Sequence, residues 1–340
     1  MGRLFAIPGE LVDLRPLGHG HIHHTVVASY RSAGGGVHRY VHQRLNTTVF
    51  PDLATLMGNV ARVTSHLATR VDDPRRSVRL RTAPGGRPYA FDAAGAPWRT
   101  LELVEGARTA HRFDGPAQAA DGAATAARLV ADLADLHPPL PEVIPDFHDV
   151  PRRLCGLERA REDDTHARAR TCTAEVDAVL AHTRVALDVD DARADGRLPE
   201  RTVHNDAKVA NLLFDAGTDA ALCLVDLDTV GPGTVLFDVG DLVRSGAVAG
   251  GEDGDPGSVR IDHDIVGAVL ESYASAGSGF LSRSEADLLA SAGPLMALEA
   301  AARFLTDHLR GDVYFRVDGP GHNLRRARNQ IRVLELLLAG

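Results

Sequence analysis

The N-terminal part of the chain alternates runs of β-type side chains with turn signals. Between residues 11 and 49 the runs "LRPLGHGHIHHTVVASY" and "VHRYVHQRLN" flank the segment "SAGGG", a pattern that predicts a hairpin followed by a third strand. Apolar residues then recur at helical spacing from Leu53 to Leu67, which predicts an amphipathic helix over residues 52–69. Further strand-like runs follow at "SVRLRTA", "RPYAFD" and "WRTLELV".

Helical patterns dominate the rest of the chain. The Ala-rich segments "DGPAQAADGAATAARLVADLADLH" and "DTHARARTCTAEVDAVLAHTRVAL" carry Leu and Val at helical spacing. The segments "RTVHNDAKVANLLFD" and "ALCLVDLDTVGPGTVLFDVGDLVR" are predicted to be short β-type runs inserted among the helices. The pattern therefore predicts an α+β protein with two lobes. Residues 1–105 are expected to form a nucleotide-binding lobe with an antiparallel sheet and one helix, and residues 106–340 a mainly helical catalytic and acceptor-binding lobe.

Composition narrows the class of protein. The 340 residues are 44% apolar, which is enough for two lobes with substantial cores. A net charge of -9 without a basic cluster argues against a nucleic-acid partner. Three cysteines without a C-x-x-C spacing indicate neither a disulfide framework nor a zinc site, and favour a reducing cytoplasm. No stretch approaches the roughly 18 apolar residues of a membrane span, so no membrane partner is expected.

One segment concentrates the candidate chemistry. "VHNDAKVANLLFD" holds His204, Asp206, Lys208 and Asn211. Fifteen residues after Asn211, an apolar run ends in Asp226. This spacing is typical of phosphoryl transfer, in which the loop Asp accepts or orients the proton of the attacking hydroxyl. The Asn and the later Asp hold Mg²⁺ against the nucleotide phosphates. Lys208 would offset charge on the transferring group, and His204 would brace the loop.

Phosphoryl transfer also needs nucleotide contacts from the first lobe. Arg44, on the predicted third strand, is the candidate cation for the α- and β-phosphates, and Gly18 and Gly20 are candidates for a flexible loop over them. Four histidines in "GHGHIHH" raise a metal-binding alternative, which we consider less favoured. The adjacent His23 and His24 cannot face the same side of a regular strand.

The motifs "VHNDAKVANLLFD" and "LVDLDTVGPGTVLFDVGDLVR" resemble those of the aminoglycoside phosphotransferase and choline kinase superfamily. Within it, the chain is similar to the N-acetylhexosamine 1-kinase group in "GHGHIHHT", "QRLNTTVFPD", "LMGNVARVTSHL" and the C-terminal "RFLTDHLRGDVYFRVDGPGHNLRRARNQIRVLE". Together these segments run from about residue 17 to 335. The resemblance implies a bilobal protein-kinase-like fold with ATP and Mg²⁺ between the lobes.

The resemblance also implies the reaction and its residues. Phosphoryl transfer to the anomeric hydroxyl of an N-acetylhexosamine is expected, with Asp206 as base and with Asn211 and Asp226 as metal ligands. His21, Arg303 and Tyr314 match positions that contact the sugar in that group. Two alternatives stay open for these residues: Arg303 could pair with Asp307 one helical turn on, and Tyr314 could belong to the core.

The chain departs from the group's pattern in two places. Residues 51–70 contain no Glu to pair with the strand cation, and Asn59 is the nearest polar substitute. The segment "RSGAVAGGEDGD" lacks the Asn that tends to follow "GA" in the group. Acceptor identity therefore stays open: an antibiotic phosphotransferase is the main alternative, and a nucleotide-binding pseudokinase is disfavoured by the intact motif. The partners expected are ATP and a small sugar, for a monomer or weak dimer.

Overall fold

A computed structural model describes residues 1–17 and 22–340. Its N-terminal lobe is an antiparallel sheet in the order β1-β2-β3-β6-β4, with β5 added along β6. The hairpin, the third strand and the three later strand-like runs predicted from the sequence are all present. The strands are β1 Glu10–Pro16, β2 His24–Arg31, β3 Val37–Arg44, β4 Leu80–Arg81, β5 Ala90–Phe91 and β6 Pro97–Glu102.

The two faces of β3 pack against different parts of the protein. Tyr40 lies in a small apolar cluster with Phe5 from the chain start. On the opposite face, Gln43 accepts a hydrogen bond from Arg99 of β6 at 2.8 Å. Side chains alternate along a strand, so Gln43 and Arg99 point to the side of the sheet that faces the second lobe.

Helix α1, Leu53–Ala68, lies between β3 and β4 along the chain and matches the helix predicted over residues 52–69 to within one residue at each end. Asp52 caps its N-terminus by accepting backbone N–H bonds from Ala54 and Thr55, which satisfies donors that would otherwise lack partners. Asn59 is buried in this helix and donates to the backbone oxygens of Pro141, at 2.8 Å, and Val230, at 3.3 Å. Asn59 thus fastens α1 to the second lobe.

The C-terminal lobe is mainly helical. Its two small sheets are β7-β9-β10 and β8-β11. The strands are β7 Ala107–Thr109, β8 Arg201–Val203, β9 Leu212–Asp215, β10 Ala221–Leu224 and β11 Gly231–Gly233. The helices are α2 Pro116–Leu133, α3 Val150–Asp163, α4 Thr173–Ala181, α5 Thr183–Ala194, α6 Val235–Gly246, α7 His263–Ala276, α8 Arg283–Leu288, α9 Ala292–Leu309 and α10 His322–Ala339.

A short linker joins the two lobes between β6 and β7. At its start Leu103 donates its backbone N–H to the Arg39 carbonyl at 3.1 Å, and at its end the Gly106 carbonyl accepts from Ala216 at 2.8 Å. Glu105 accepts from the Arg39 guanidinium at 2.9 Å. The predicted boundary at residue 105 falls within this linker, and its role as a domain boundary stays a prediction.

Helix α9 lies at the centre of the large core. Contrary to the expectation that no stretch approaches a membrane span, the run Arg283–Leu309 is long and apolar enough to cross a membrane by length and composition alone, but most of its apolar window is buried inside the fold. That burial is the pattern of a core helix.

Two segments differ from the sequence prediction. Residues 235–246, predicted as part of a β-type run, form helix α6, whose residues from Val235 to Val243 are all buried. The sequence does carry a helical period, because Asp238, Asp241 and Arg244 recur every three residues, but its Val, Leu and Phe content also suits a strand and favoured the wrong prediction. The predicted helix near residues 164–187 is divided, since α4 ends at Ala181 and α5 begins at Thr183.

Candidate active site

The loop after β8 is held by a carboxylate from helix α6. Asp238 is fully buried, and its two oxygens accept the backbone N–H groups of His204 at 2.9 Å and Asn205 at 2.8 Å. The His204 ring contacts the Val225 carbonyl at 3.0 Å, which fits the predicted bracing role. Burial raises the pKa of Asp238, although these bonds oppose the rise.

Asn205 gives the loop its sharp turn. Its φ of 63° lies in the left-handed region, which Asn tolerates better than most residues. Its side chain donates to the Thr229 carbonyl at 3.0 Å. Gly233 packs against it so closely that an added Cβ would lie 2.4 Å from Asn205 Oδ1, so this position requires glycine.

The side chains of Lys208 and Asn211 both contact one carboxylate oxygen of Asp206. Lys208 Nζ lies 2.7 Å from Asp206 Oδ2, and the Asn211 amide donates to the same oxygen at 2.9 Å and to the Asp206 carbonyl at 2.8 Å. Burial alone would lower the pKa of Lys208, but Asp206, Asp226 and Asp241 raise it. The Asp206 side chain is 27% exposed, so its other oxygen can meet a substrate.

Asp226 follows strand β10 and lies close to Asp206. Its φ of 65° is left-handed, a strained conformation of the kind found at functional sites. Burial, then the charges of Asp228 and Asp206, raise its pKa. A carboxylate whose neighbours are other carboxylates is stabilised by a cation.

The donor set near Asp226 fits a divalent cation. Carboxylate and amide oxygens are the ligands that Mg²⁺ and Ca²⁺ prefer, and Asn211 bonds Asp206 through its nitrogen, which leaves its oxygen available. Within residues 1–17 and 22–340, no group of three or more His, Cys, Asp or Glu side chains could hold a metal alone. Remaining ligands would have to come from a substrate or from water.

Asp228, two residues further on, carries a buried ion pair that links the lobes. It pairs with Arg99 of β6 and with His23 Nε2 at 2.5 Å. Burial would raise the pKa of Asp228, but Arg99 and His23 lower it to about 2. His23 also accepts the Asn46 backbone N–H at 3.1 Å. The carboxylate partner of this buried first-lobe arginine therefore comes from the second lobe and not from α1.

The predicted ligand contacts from the first lobe are Gly18, Gly20, His21 and Arg44. Gly18, Gly20 and His21 lie outside the described residues. Arg44 is exposed at the end of β3. The hydrogen bonds that Asp92 accepts from Ala96 and Trp98 lower the pKa of Asp92, and the charge of Arg44 adds a smaller effect in the same direction. By strand alternation Arg44 points away from the face of Gln43. Its phosphate contact stays a prediction that this placement does not favour.

Arg303 and Tyr314 are brought together on the helical lobe. The Arg303 guanidinium lies 5.7 Å from the Phe147 ring centroid, 5.9 Å from that of Tyr314 and 5.5 Å from that of Phe315. Tyr314 is 65% exposed, so it does not belong to the core. Three aromatic rings around one cation suit a polar ligand with an apolar face.

The ionic partner of Arg303 is not Asp307. Arg303 Nη1 lies 3.7 Å from Glu299 Oε1, one turn earlier on α9. Asp307 instead accepts the backbone N–H groups of Val313, Tyr314 and Phe315 at 2.8–2.9 Å. It therefore shapes the turn that carries Tyr314.

A second group of charges lies on helix α6 and in the loop after it. Asp241 is buried, and its pKa is raised first by burial and then by charges that include Asp206. Arg244 bonds Asp241 at 3.1–3.2 Å and Glu252 at 2.5 Å. The following Asp253 meets His322 Nε2 at 2.8 Å, which holds this acidic loop against α10.

Sequence reasoning missed several of these residues. Asp228 stands in the quoted motif "LVDLDTV", and Asp238 interrupts an apolar run, so a charge in an apolar setting was a usable signal for both. Arg99 is a single cation in a short strand, and this sequence pattern gave no sign that Arg99 belongs to the site. His148 lies in an ordinary loop sequence, and its contacts with Asn205 and Glu299 are visible only in three dimensions.

A sequence model described as the phosphotransferase enzyme family, APH, matches residues 13–273. The chain belongs to this family. The superfamily resemblance drawn from the motifs is thereby confirmed, and the protein is a small-molecule phosphotransferase of the aminoglycoside phosphotransferase and choline kinase superfamily.

Solved structures share the fold of this phosphotransferase. An aminoglycoside phosphotransferase from Alicyclobacillus acidocaldarius matches with a TM-score of 0.65 at 14% identity, covering 96% of this chain and 90% of that one. An amicoumacin kinase in complex with AMP-PNP, Ca²⁺ and Ami matches with a TM-score of 0.62 at 12% identity, covering 97% and 90%. The choline kinase LicA from Streptococcus pneumoniae gives 0.52 at 12%, covering 96% and 94%. These likenesses confirm the predicted bilobal kinase-like architecture.

Proposed function

We propose that this phosphotransferase transfers the γ-phosphoryl group of ATP to the anomeric hydroxyl of an N-acetylhexosamine or a related sugar, in a cytoplasmic setting. The observation that carries the proposal is the convergence of Asp206, Lys208, Asn211 and Asp226, at the spacing that phosphoryl transfer uses. The amicoumacin kinase, matched with AMP-PNP and Ca²⁺, supports ATP and a divalent cation, with Mg²⁺ expected from the motif.

Each residue has a role that its contacts allow. The accessible Asp206 oxygen takes or orients the proton of the attacking hydroxyl, while Lys208 offsets charge on the transferring group. Asn211 and Asp226 would hold Mg²⁺, which when bound neutralises phosphate charge and aligns the phosphoryl group. Gly18 and Gly20 are the proposed nucleotide contacts from the first lobe. Arg44 stays a proposed phosphate contact, for which its exposed side chain would have to turn around the end of β3.

The acceptor assignment rests on the group resemblance and on the aromatic cluster. Arg303 and the exposed Tyr314 offer hydrogen bonding and a stacking surface, which suit a sugar ring. His21 is the third proposed sugar contact. The anomeric hydroxyl is more acidic than an ordinary alcohol, which suits a single carboxylate base. The second candidate is an antibiotic acceptor, supported by the acidic Asp241 and Glu252, whose charges act on Asp206 and Lys208 although both carboxylates also pair with Arg244.

The test is ADP release with ATP and Mg²⁺ across a panel of acceptors. N-acetylglucosamine or N-acetylgalactosamine should be turned over, and their 1-O-methyl glycosides should be inert because the methyl group removes the nucleophile. Free hexosamines and aminoglycosides complete the panel. Steady phosphorylation of a glycoside would refute transfer to C1 and leave the kinase chemistry standing, while turnover of aminoglycosides alone would establish the second candidate.

A further inference from the structure

A histidine outside the kinase motif connects the catalytic loop to the acceptor side. His148 is 8% exposed. Its Nε2 lies 2.8 Å from the Asn205 carbonyl oxygen, and its Nδ1 lies 2.7 Å from Glu299 Oε2 on α9. Asn205 directly precedes Asp206, and Glu299 is one helical turn from Arg303. A single side chain therefore spans the two halves of the proposed site.

The partners of His148 determine its protonation. A backbone carbonyl oxygen can only accept a hydrogen bond, so Nε2 must carry a proton. A carboxylate also accepts, so Nδ1 carries one too and the ring is an imidazolium. Burial alone would lower the pKa of His148 below 6.5, but the charge and hydrogen bond of Glu299 raise it above that value. Glu299 correspondingly has its pKa lowered, against burial, by His148 first.

The second oxygen of Glu299 faces the acceptor side. Glu299 Oε1 is buried, and within the described part of the chain it has no hydrogen-bond partner. Arg303 Nη1 lies 3.7 Å from it, slightly too far for a hydrogen bond. A small movement of Arg303 toward Glu299 would close this contact. Phe147, next to His148 in sequence, packs against the Arg303 guanidinium at 5.7 Å, so one short segment contacts both Arg303 and the catalytic loop.

We infer that His148 and Glu299 form a charged positioning pair that holds the backbone beside Asp206 and couples it to Arg303 in the acceptor site. The inference rests on the proposed transfer at Asp206. Neither residue touches the reacting atoms in this arrangement. They act through the Asn205 carbonyl on one side and through Arg303 on the other.

The charges around the pair define its pH window. Besides the two members of the pair, the charged groups that face it are Arg303 from α9, Asp241 from α6 and Arg153 from α3. Because the folded-state pKa of His148 is raised, its contribution is complete below 6.5 and is lost as pH rises through the raised value. Because that of Glu299 is lowered, its contribution is present above 4.5 and is lost as pH falls through the lowered value.

The chain offers a matched control. His66, on α1, also contacts a backbone oxygen, of Asp132 at 2.9 Å, and a carboxylate, of Asp135 at 3.2 Å, both through Nε2. It holds α1 to the end of α2, and among the described residues it forms no hydrogen bond with the catalytic loop. The comparison uses His148→Gln, Glu299→Gln and His66→Gln. Glutamine at 148 can still donate to the Asn205 carbonyl but carries no charge.

The experiment measures kcat and KM for each variant with the acceptor that the panel identifies, whatever its class. His148→Gln and Glu299→Gln should lower kcat about 10- to 100-fold, since a small displacement of the base costs that much. KM for ATP should stay within about twofold, and the loss of wild-type activity at alkaline pH should be absent in His148→Gln. His66→Gln should keep wild-type kcat. A kcat within about twofold of wild type in His148→Gln, at any stability, would overturn the inference.

A second measurement does not depend on any acceptor. Ring-nitrogen NMR of the ¹⁵N-histidine-labelled wild-type protein should show, near pH 7, both nitrogens of His148 protonated, identified by the signals that are absent from the His148→Gln spectrum. A neutral His148 tautomer would overturn the inference even if the sugar kinase activity is confirmed. An imidazolium together with failure of every sugar would leave the pair standing and refute only the proposed acceptor.

Discussion

Asp238 offers the sharpest test of how the catalytic loop is held. Its two oxygens accept the N–H groups of His204 and Asn205 at 2.9 and 2.8 Å. Asp238→Asn keeps the shape but turns one N–H₂ group toward a backbone donor. A hydrogen bond to a charged group is worth about 1.5–3 kcal/mol, and a buried unpaired donor costs about 1–3 kcal/mol. Removing a buried charge, whose cost appears in the raised pKa of Asp238, offsets part of this loss.

We therefore expect Asp238→Asn to lower the free energy of unfolding by about 2 kcal/mol and Asp238→Ala to lower it by about twice as much. Urea unfolding followed by circular dichroism measures this: at an m-value near 3 kcal/mol/M, the midpoint of the Asn variant would fall by about 0.7 M. The freed loop should also lower kcat about 10- to 100-fold.

Asp121 supplies the control for Asp238. It accepts one backbone N–H bond, from Ala221 at 2.6 Å, far from the loop in sequence and on a different helix. Asp121→Asn should reduce stability without a change in kcat. If Asp238→Asn matched wild type in both unfolding midpoint and kcat, the view that this carboxylate organises the loop would be refuted.

Two further substitutions test the proposed chemistry. Asp206→Asn should lower kcat by about two orders of magnitude or more while calorimetry with AMP-PNP shows nearly unchanged affinity, and near-normal turnover would remove Asp206 from the mechanism. Asp226→Ala should abolish activity more completely by removing a metal ligand, whereas Asp226→Asn, which tolerates the φ of 65° better, should retain some activity that rises with Mg²⁺. Activity that survives in the Ala variant with no response to a tenfold change in Mg²⁺ would contradict the metal assignment.

Local signals were enough to predict most of the first lobe. The hairpin, the third strand and α1 each have a clear period and clear turn residues, and Asp52 caps the helix within one residue of its predicted start. Helix α6 was missed although its polar residues Asp238, Asp241 and Arg244 recur at helical spacing. Its Val, Leu and Phe residues suit a strand equally well, so the composition outweighed a period that was present in the sequence.

In the candidate site, too, a local motif predicts some of the residues, and only the packing of distant elements produces the other contacts. Asp206, Lys208 and Asn211 are close in sequence, so one loop brings them together, and Asp226 follows from a known spacing. Asp238 meets His204 across 34 residues, and His148 meets Glu299 across 151 residues. Those contacts depend on how α6 and α9 pack, and a single sequence carries no local sign of them. The pairing of Arg99 with Asp228, in place of a glutamate on α1, has the same origin.

The short linker between the lobes restricts how the molecule can open. Leu103 is bonded to the first sheet and Gly106 to the second, so a swing of one lobe must be concentrated in the torsions of Val104 and Glu105. Glu105 is itself tied to Arg39 by a partly exposed ion pair. A change in the Glu105 torsions strains that pair, and salt screens such pairs. The surface ion pair therefore adds a salt-sensitive contribution to the buried Asp228 contacts that link the lobes, and the rate at which spent nucleotide leaves should increase with ionic strength.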